Sequence, residues 1–211
     1  ERGVPPIDDT LRWVVVGFRV LALVWMGALA GATLFDDPGA NRAVVAGTLA
    51  LATAWTGLTV AHAFRPRWFR SLAWALADGL VALWISISPF VAGSQDLFFG
   101  GYPISSLLVV AYAIGPWPAL GEAVLLAAGQ VVGAFGEVGR TSTQVAGDIG
   151  VFVATALAAG WGFSLLRRYD QARTQAEEAL EEERAARRRA HDRAEIAAHL
   201  HDSVLQTLAL I

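Results

Sequence analysis

The chain has 211 residues, of which 55% are hydrophobic and 17% are charged, and its net charge is −3. No basic face stands out, which argues against a nucleic-acid-binding protein. The absence of cysteine excludes disulfides, CxxC redox chemistry and thiolate metal sites, and we identify no metal site in the sequence.

Apolar residues form long runs in the first three quarters of the chain, whereas the last 45 residues hold 8 of the 16 basic residues and 9 of the 19 acidic ones. A membrane-spanning helix needs roughly 20 apolar residues. Six runs approach that length: 13–35, 43–64, 72–92, 104–117, 119–135 and 149–166. The fourth run is short unless residues 97–102 extend it. We therefore predict six transmembrane helices.

Arginine residues predict the orientation, because short cytoplasmic loops hold more of them than short exterior loops. With six spans, three groups fall on one side: Arg2 and Arg12, then Arg65, Arg67 and Arg70, then Arg167 and Arg168. Both termini are then cytoplasmic. The exterior loops are too short for a folded ligand-binding domain, so we expect a signal to be sensed within or beside the lipid bilayer.

Four ionisable residues lie inside the predicted spans at similar shallow depth: Arg19, His62, Asp78 and Glu122. Ionisable side chains in lipid are unfavourable and usually face the interior of the helix bundle. We predict that Arg19 pairs with Asp78 or Glu122 in one buried polar cluster. The alternative is that each side chain reaches separately to the lipid headgroups.

Residues 167–195 contain neither proline nor glycine and are rich in Ala, Glu and Arg, all strong helix formers. We predict one long helix that continues out of the sixth span. A seam at 3–4 spacing, mostly alanine, predicts a dimeric coiled coil of marginal stability. The alternative is a single solvated helix supported by pairs such as Glu183 with Arg187.

The last segment, residues 196–211, reads IAAHLHDSVLQTLALI. On a helix, residues 196, 200, 204, 208 and 211 form one apolar stripe, and His201 lies at its margin. Asp202 follows His201 directly, and Gln206 shares a polar face with Asp202 because it lies four residues further on. A His-Asp pair alone is weak evidence of function, since such pairs are common on helix surfaces.

The complete motif, placed after a membrane domain and a charged helix, carries more weight. It runs from Arg193 through Ile196-Ala197 and Leu200-His201-Asp202 to Val204-Leu205-Gln206 and Leu208. It resembles the phospho-acceptor motif of HisKA_3 histidine kinases, the group with the DesK and NarX sensors, and is most similar to the actinobacterial MacS-like branch. Typical members have Arg and an acidic residue where this chain has Ala198 and His199.

This resemblance implies a sensor histidine kinase of a two-component system in the bacterial plasma membrane. By resemblance, His201 accepts the phosphoryl group, Asp202 acts as the base that orients it, and Gln206 positions water for phosphatase activity. The implied partners are a second copy of the chain, a cognate response regulator, the lipid bilayer and an apolar or small-molecule signal. We expect ATP and Mg²⁺ to bind a domain beyond Ile211, and the 211 residues alone to bind no cofactor and be inactive.

The predicted fold is therefore all-α, a six-helix membrane bundle that continues into a long cytoplasmic signalling helix. Residues 1–12 form a cytoplasmic segment, 13–166 the transmembrane sensor domain and 167–195 the signalling helix. Residues 196–211 begin the dimerisation and phosphotransfer domain. Two other functions stay open: a small transporter or channel lined by the intramembrane charges, or a membrane scaffold with a helical tail. The sequence does not identify the stimulus.

Overall fold

The computed structural model describes residues 7–36, 39–65, 69–93, 101–134 and 142–209. Throughout these ranges the secondary structure is helical with short connections and no strand, which confirms the all-α prediction. The helices are α1 (Ile7–Asp36), α2 (Arg42–Ala63), α3 (Leu72–Ala92), α4 (Gly101–Ala113), α5 (Pro116–Ala134) and α6 (Ser142–Ala209).

Polar side chains at the ends of α2 and α3 satisfy the free backbone groups there. Asn41 Oδ1 accepts from the amides of Ala43 and Val44 at 3.2 and 3.4 Å, and Ser71 Oγ accepts from the amide of Trp74 at 3.2 Å. Gly93 ends α3 with φ +69°, a left-handed conformation that glycine adopts without strain. These caps set where two of the apolar helices begin or end.

Four of the described helices are long and apolar enough to cross a membrane: α1, α2, α3 and the apolar part of α6. Length and composition thus indicate a membrane protein. Helix α4 is apolar but has only 13 residues, or about 20 Å at 1.5 Å per residue. Helix α5 has 19 residues and carries Glu122 and Gln130, which lower its mean hydropathy.

The predicted fourth run, residues 104–117, does not form one helix. Helix α4 ends at Ala113, Gly115 adopts φ +123°, and α5 begins at Pro116. Proline suits the first position of a helix because it has no amide hydrogen to leave unpaired. The end of the predicted fourth span therefore belongs to α5. Of the six residues considered as its extension, 97–100 lie outside the described ranges.

Helix α4 occupies the centre of the bundle, since ten of its 13 residues are buried. It packs against α1, α3 and α5, while α2 packs against α1 and α3. The buried apolar core here includes Leu107 and Val110 of α4, together with Leu126 of α5 and Phe152 of α6. Any polar side chain on α4 is therefore held inside the bundle and must find its partners on neighbouring helices.

The chain divides into two compact units, one ending at Arg167 and the other starting at Arg168. In the second unit nearly every residue up to Ile196 is exposed. Two ion pairs one turn apart support that helix: Arg173 with Glu177 at 2.8 Å and Arg187 with Glu183 at 2.6 Å. The hydrogen bond that Arg173 donates to Glu177 raises the pKa of Arg173 above its ordinary value.

Helices α5 and α6 approach closely where Gly160 meets Pro116. A Cβ atom at Gly160 would lie 2.6 Å from Pro116 Cα and 2.7 Å from its Cβ, whereas one at Gly162 would meet no described atom within 4 Å. A rotamer change cannot relieve a contact with backbone, so the helices themselves would have to separate. The absence of a side chain at Gly160 is therefore a packing requirement.

We predict that Gly160→Ala destabilises the first unit, the membrane unit, by about 1–3 kcal/mol, the usual range for overpacking. Gly162→Ala is the matched control on the same helix and should be neutral or slightly stabilising, since alanine favours helix. Denaturant unfolding in detergent micelles measures both variants. Equal stability of the two would contradict the close approach at Gly160.

Candidate functional site

A buried polar cluster lies in the middle of the first unit, centred on Arg19 of α1, whose side chain is 0% exposed. Its guanidinium pairs with Asp78 of α3 through two parallel contacts, Nη1 with Oδ1 and Nη2 with Oδ2, the latter at 3.0 Å. Two-pronged pairing fixes orientation as well as charge. Helices α1 and α3 are thus held in one register.

The remaining donors of Arg19 bind hydroxyl groups on two further helices. Nε donates to Ser105 Oγ of α4 at 3.1 Å, and Nη1 donates to Thr59 Oγ1 of α2 at 3.2 Å. The guanidinium carbon also lies 4.9 Å from the centre of the Tyr102 ring, a favourable cation-π distance. A lysine would supply one point charge and could not reproduce this planar set of contacts.

Asp78 receives two donors on each carboxylate oxygen. Besides the Arg19 contacts, Oδ1 accepts from Trp55 Nε1 at 2.5 Å, and Oδ2 accepts from Ser106 Oγ at 2.6 Å. Four donors are close to the full accepting capacity of an ionised carboxylate. The Arg19–Asp78 pair is therefore both neutral overall and well satisfied, as a buried charge requires.

Glu122 of α5 joins the cluster through Ser106, whose Oγ lies 2.5 Å from Glu122 Oε1. A serine hydroxyl has one proton and can donate to one carboxyl group only. Because Ser106 Oγ lies within hydrogen-bond distance of both acids, a second proton is needed, and Glu122 is the acid that can carry it. With a proton on Glu122, the donors would run from Glu122 to Ser106 and from Ser106 to Asp78.

His62 occupies a different place from the other three residues predicted inside the spans. Its ring stacks on Trp74 at 4.3 Å, and Trp74 stacks on Trp55 at 4.7 Å. Trp55 contacts the cluster through its hydrogen bond to Asp78. His62 Nδ1 lies 2.9 Å from the carbonyl oxygen of Leu58. The structure thus brings Arg19, Asp78 and Glu122 together and places His62 in a stack with Trp74 and Trp55.

Sequence reasoning missed the neutral members of this cluster. Ser105, Ser106 and Thr59 were not singled out because isolated hydroxyl residues are common in membrane helices, where they bond to their own backbone. The signal that was available is the adjacent Ser105–Ser106 pair inside an otherwise apolar helix. Consecutive residues point to different neighbours, and here one serine meets Arg19 and the other Glu122.

A second ionic cluster joins the N-terminal end of α1 to the segment between α2 and α3 and to the end of the first unit. Asp8 lies 3.4 Å from Arg167 and 3.7 Å from Arg70. Arg167 Nη2 also donates to the carbonyl oxygen of Tyr112, the penultimate residue of α4, at 2.6 Å. Members of two of the predicted arginine groups therefore contact one carboxylate. Arg2 and Arg67 lie outside the described residues.

The predicted phospho-acceptor group, His201 with Asp202 and Gln206, falls on α6, but these side chains lie outside the described part of the structure. Across the ranges that are described, no group of three or more His, Asp or Glu side chains could hold a metal ion. No family model, curated protein or solved structure matches this chain. Its function is inferred from its own residues.

We predict that Arg19→Ala and Asp78→Ala each destabilise the membrane unit by about 3–5 kcal/mol, because each strands a buried charge. The double variant should be more stable than the sum of the two losses implies, by at least about 1 kcal/mol. Unfolding in detergent measures this coupling. The exposed pair Arg187 and Glu183 of the second unit is the control, and its removal should leave the unfolding of the first unit unchanged. Strictly additive losses for Arg19 and Asp78 would contradict the pairing.

Proposed function

We propose that this chain is the membrane-sensing part of a two-component histidine kinase and that His201 is its phospho-acceptor. The observation that carries the proposal is that one helix, Ser142–Ala209, contains both an apolar segment able to cross a membrane and the motif around His201. A helix of this kind connects a membrane event with a cytoplasmic histidine. The two other functions considered lack a comparable motif in the chain.

The chemistry of the motif suits phosphoryl transfer from ATP bound to another domain of the full-length protein. A neutral imidazole nitrogen of His201 attacks the γ-phosphorus, the bond to the ADP oxygen breaks, and ADP leaves. Asp202 accepts a hydrogen bond from the other ring nitrogen and offsets the positive charge that develops. Attack on phosphohistidine by an aspartate of the response regulator then returns the imidazole. In the opposing phosphatase activity, Gln206 would orient water for attack on the aspartyl phosphate of the response regulator, which releases inorganic phosphate.

We place the signalling helix in a homodimer, because its alanine-rich seam suits close packing of two copies while burying little area in each layer. Such a coil can hold two arrangements that differ by a few kcal/mol. A signal in the membrane unit would then select one of them. The ion pairs of Arg173 with Glu177 and of Arg187 with Glu183 are equally compatible with a solvated single helix. The homodimer is therefore proposed from the alanine-rich seam alone.

The proposed topology has six spans, with α4 and α5 as the fourth and fifth and both termini in the cytoplasm. Support comes from Asp8, which contacts Arg70 and Arg167. Arginine-rich segments at the start of α1, between α2 and α3 and after the apolar part of α6 would then share the cytoplasmic side, as the distribution of positive charge requires.

The lack of cysteine in the chain allows a direct test of this topology with single cysteines in intact cells. Gly39→Cys should react with a membrane-impermeant maleimide, whereas Phe64→Cys and Arg168→Cys should react only after the cells are opened. Trp117→Cys is decisive, because residue 117 lies in the first turn of α5 and is 79% exposed. We expect it to be protected in intact cells. Labelling from outside would mean that α4 and α5 do not cross the membrane.

We predict that His201→Gln abolishes incorporation of labelled phosphate from ATP into the full-length protein in nanodiscs, because glutamine offers no nucleophilic nitrogen. His199→Gln, two residues away on the same helix, is the matched control and should keep most of the labelling. Acid-labile, alkali-stable phosphate identifies the phosphohistidine. Equal labelling of wild type and His201→Gln would reject the proposed acceptor.

A further inference from the structure

An apolar groove with a volume of about 570 Å³ opens on the first unit between α3, α4 and α5. Its size is that of a small-molecule site. Leucines of α3 that line it are among the exposed apolar residues, so in the proposed topology the groove opens toward lipid. The lining includes Leu76, Leu80, Val110, Ile114 and Leu125.

Glycines create the depth of this groove. A Cβ atom at Gly121 of α5 would meet no described atom within 4 Å, so the space beside it is open. A Cβ atom at Gly79 of α3 would lie 3.6 Å from Glu122 Oε1. The carboxyl group of Glu122 is thus part of the wall, and the absence of side chains beside it lets a ligand approach.

Glu122 contributes an unpaired hydrogen-bond acceptor. The residue is 7% exposed, and its Oε1 is engaged by Ser106, but its buried Oε2 has no hydrogen-bond partner among the described residues. Buried oxygens in native proteins almost always have a partner. Glu122 lines the groove, so rotation of its carboxyl group about the last side-chain bond would bring this oxygen to a ligand that carries a donor.

We infer that this groove binds a neutral, lipid-soluble alcohol, with the alkyl chain against the leucines and the hydroxyl donating to Glu122 Oε2. Neutrality follows from the cluster behind it, since Arg19 and Asp78 already balance each other. Ser106 Oγ lies 2.6 Å from Asp78 Oδ2 and 2.5 Å from Glu122 Oε1, and one hydroxyl proton cannot serve both oxygens, so a neutral Glu122 fits this geometry. A cationic amine would need the ionised acid and would leave two carboxylates facing one serine proton.

This site goes beyond the proposed kinase function and does not depend on it. It involves residues of α3, α4 and α5 alone, whereas phosphoryl transfer concerns the region around His201. Failure of one proposal would therefore leave the other intact. If both hold, occupation of the groove would act on the cluster of Arg19, Asp78 and Ser106 through Glu122.

The test is photolabelling of the chain in nanodiscs by dodecanol that carries a diazirine on its alkyl chain. We expect cross-links to residues of α3 or α5 that line the groove. Unlabelled dodecanol should compete, whereas dodecyl methyl ether has the same apolar chain but no donor and should compete at least about fivefold more weakly, as expected for one lost hydrogen bond.

Two pairs of variants separate the hydrogen bond from the shape of the groove. Glu122→Gln keeps a neutral acceptor and a donor for Ser106, so it should retain labelling within about twofold, whereas Glu122→Leu should lose at least about fivefold. Gly121→Leu should block the groove and abolish labelling there. Gly57→Leu is its control, because Gly57 is exposed on α2 and a Cβ atom there meets no described atom within 4 Å.

Three results would overturn the inference. Equal labelling of wild type and Glu122→Leu, or equal competition by the ether, would mean that the groove holds an alkyl chain only. Stronger competition by dodecylamine together with loss of labelling in Glu122→Gln would mean an ionised site for cations. Labelling that survives in Gly121→Leu would place the ligand elsewhere. Gel filtration verifies folding, and the ether comparison in wild type stands even if a variant misfolds.

Discussion

The membrane unit is organised around the need to satisfy one buried guanidinium. Arg19 brings a permanent charge and five N–H donors into the interior of an apolar bundle, where unpaired charge is strongly unfavourable. Its partners come from three other helices: Thr59 of α2, Asp78 of α3 and Ser105 of α4. Apolar surfaces tolerate small rotations and shifts, but these contacts do not. The pair therefore contributes specificity of helix arrangement more than net stability.

Helix α4 links this cluster to the ionic contacts at the end of the unit. Ser105 and Ser106 bind the buried charges, and Tyr112, on the same short helix, accepts a hydrogen bond from Arg167. Because α4 is buried on nearly every side, it can move only if its neighbours also move. A change at the buried cluster would thus alter the contacts of Arg167, the last residue of the unit.

These features fit sensing better than transport. A transport pathway needs a charge that is free to meet its substrate, whereas Asp78 is surrounded by four donors and Arg19 is paired on every side. Glu122 is the member with an acceptor to spare among the described contacts, and it faces an apolar groove instead of a polar channel. The arrangement suits a bundle whose packing responds to what occupies that groove, and in the proposed kinase the response would be read out at His201.

The sequence by itself determined the helical class, the apolar segments and which ionisable residues lie within them, because hydropathy and spacing along a helix are one-dimensional properties. The sequence puts Asp78 and Glu122 at similar shallow depth in their predicted spans, so spacing could not decide which one Arg19 meets. Only the tertiary structure placed Ser106 between the two acids, broke the fourth apolar run at Gly115 and stacked the ring of His62 on Trp74. Those outcomes depend on how helices are rotated about their axes and which neighbours they face, and that information exists only once the helices pack.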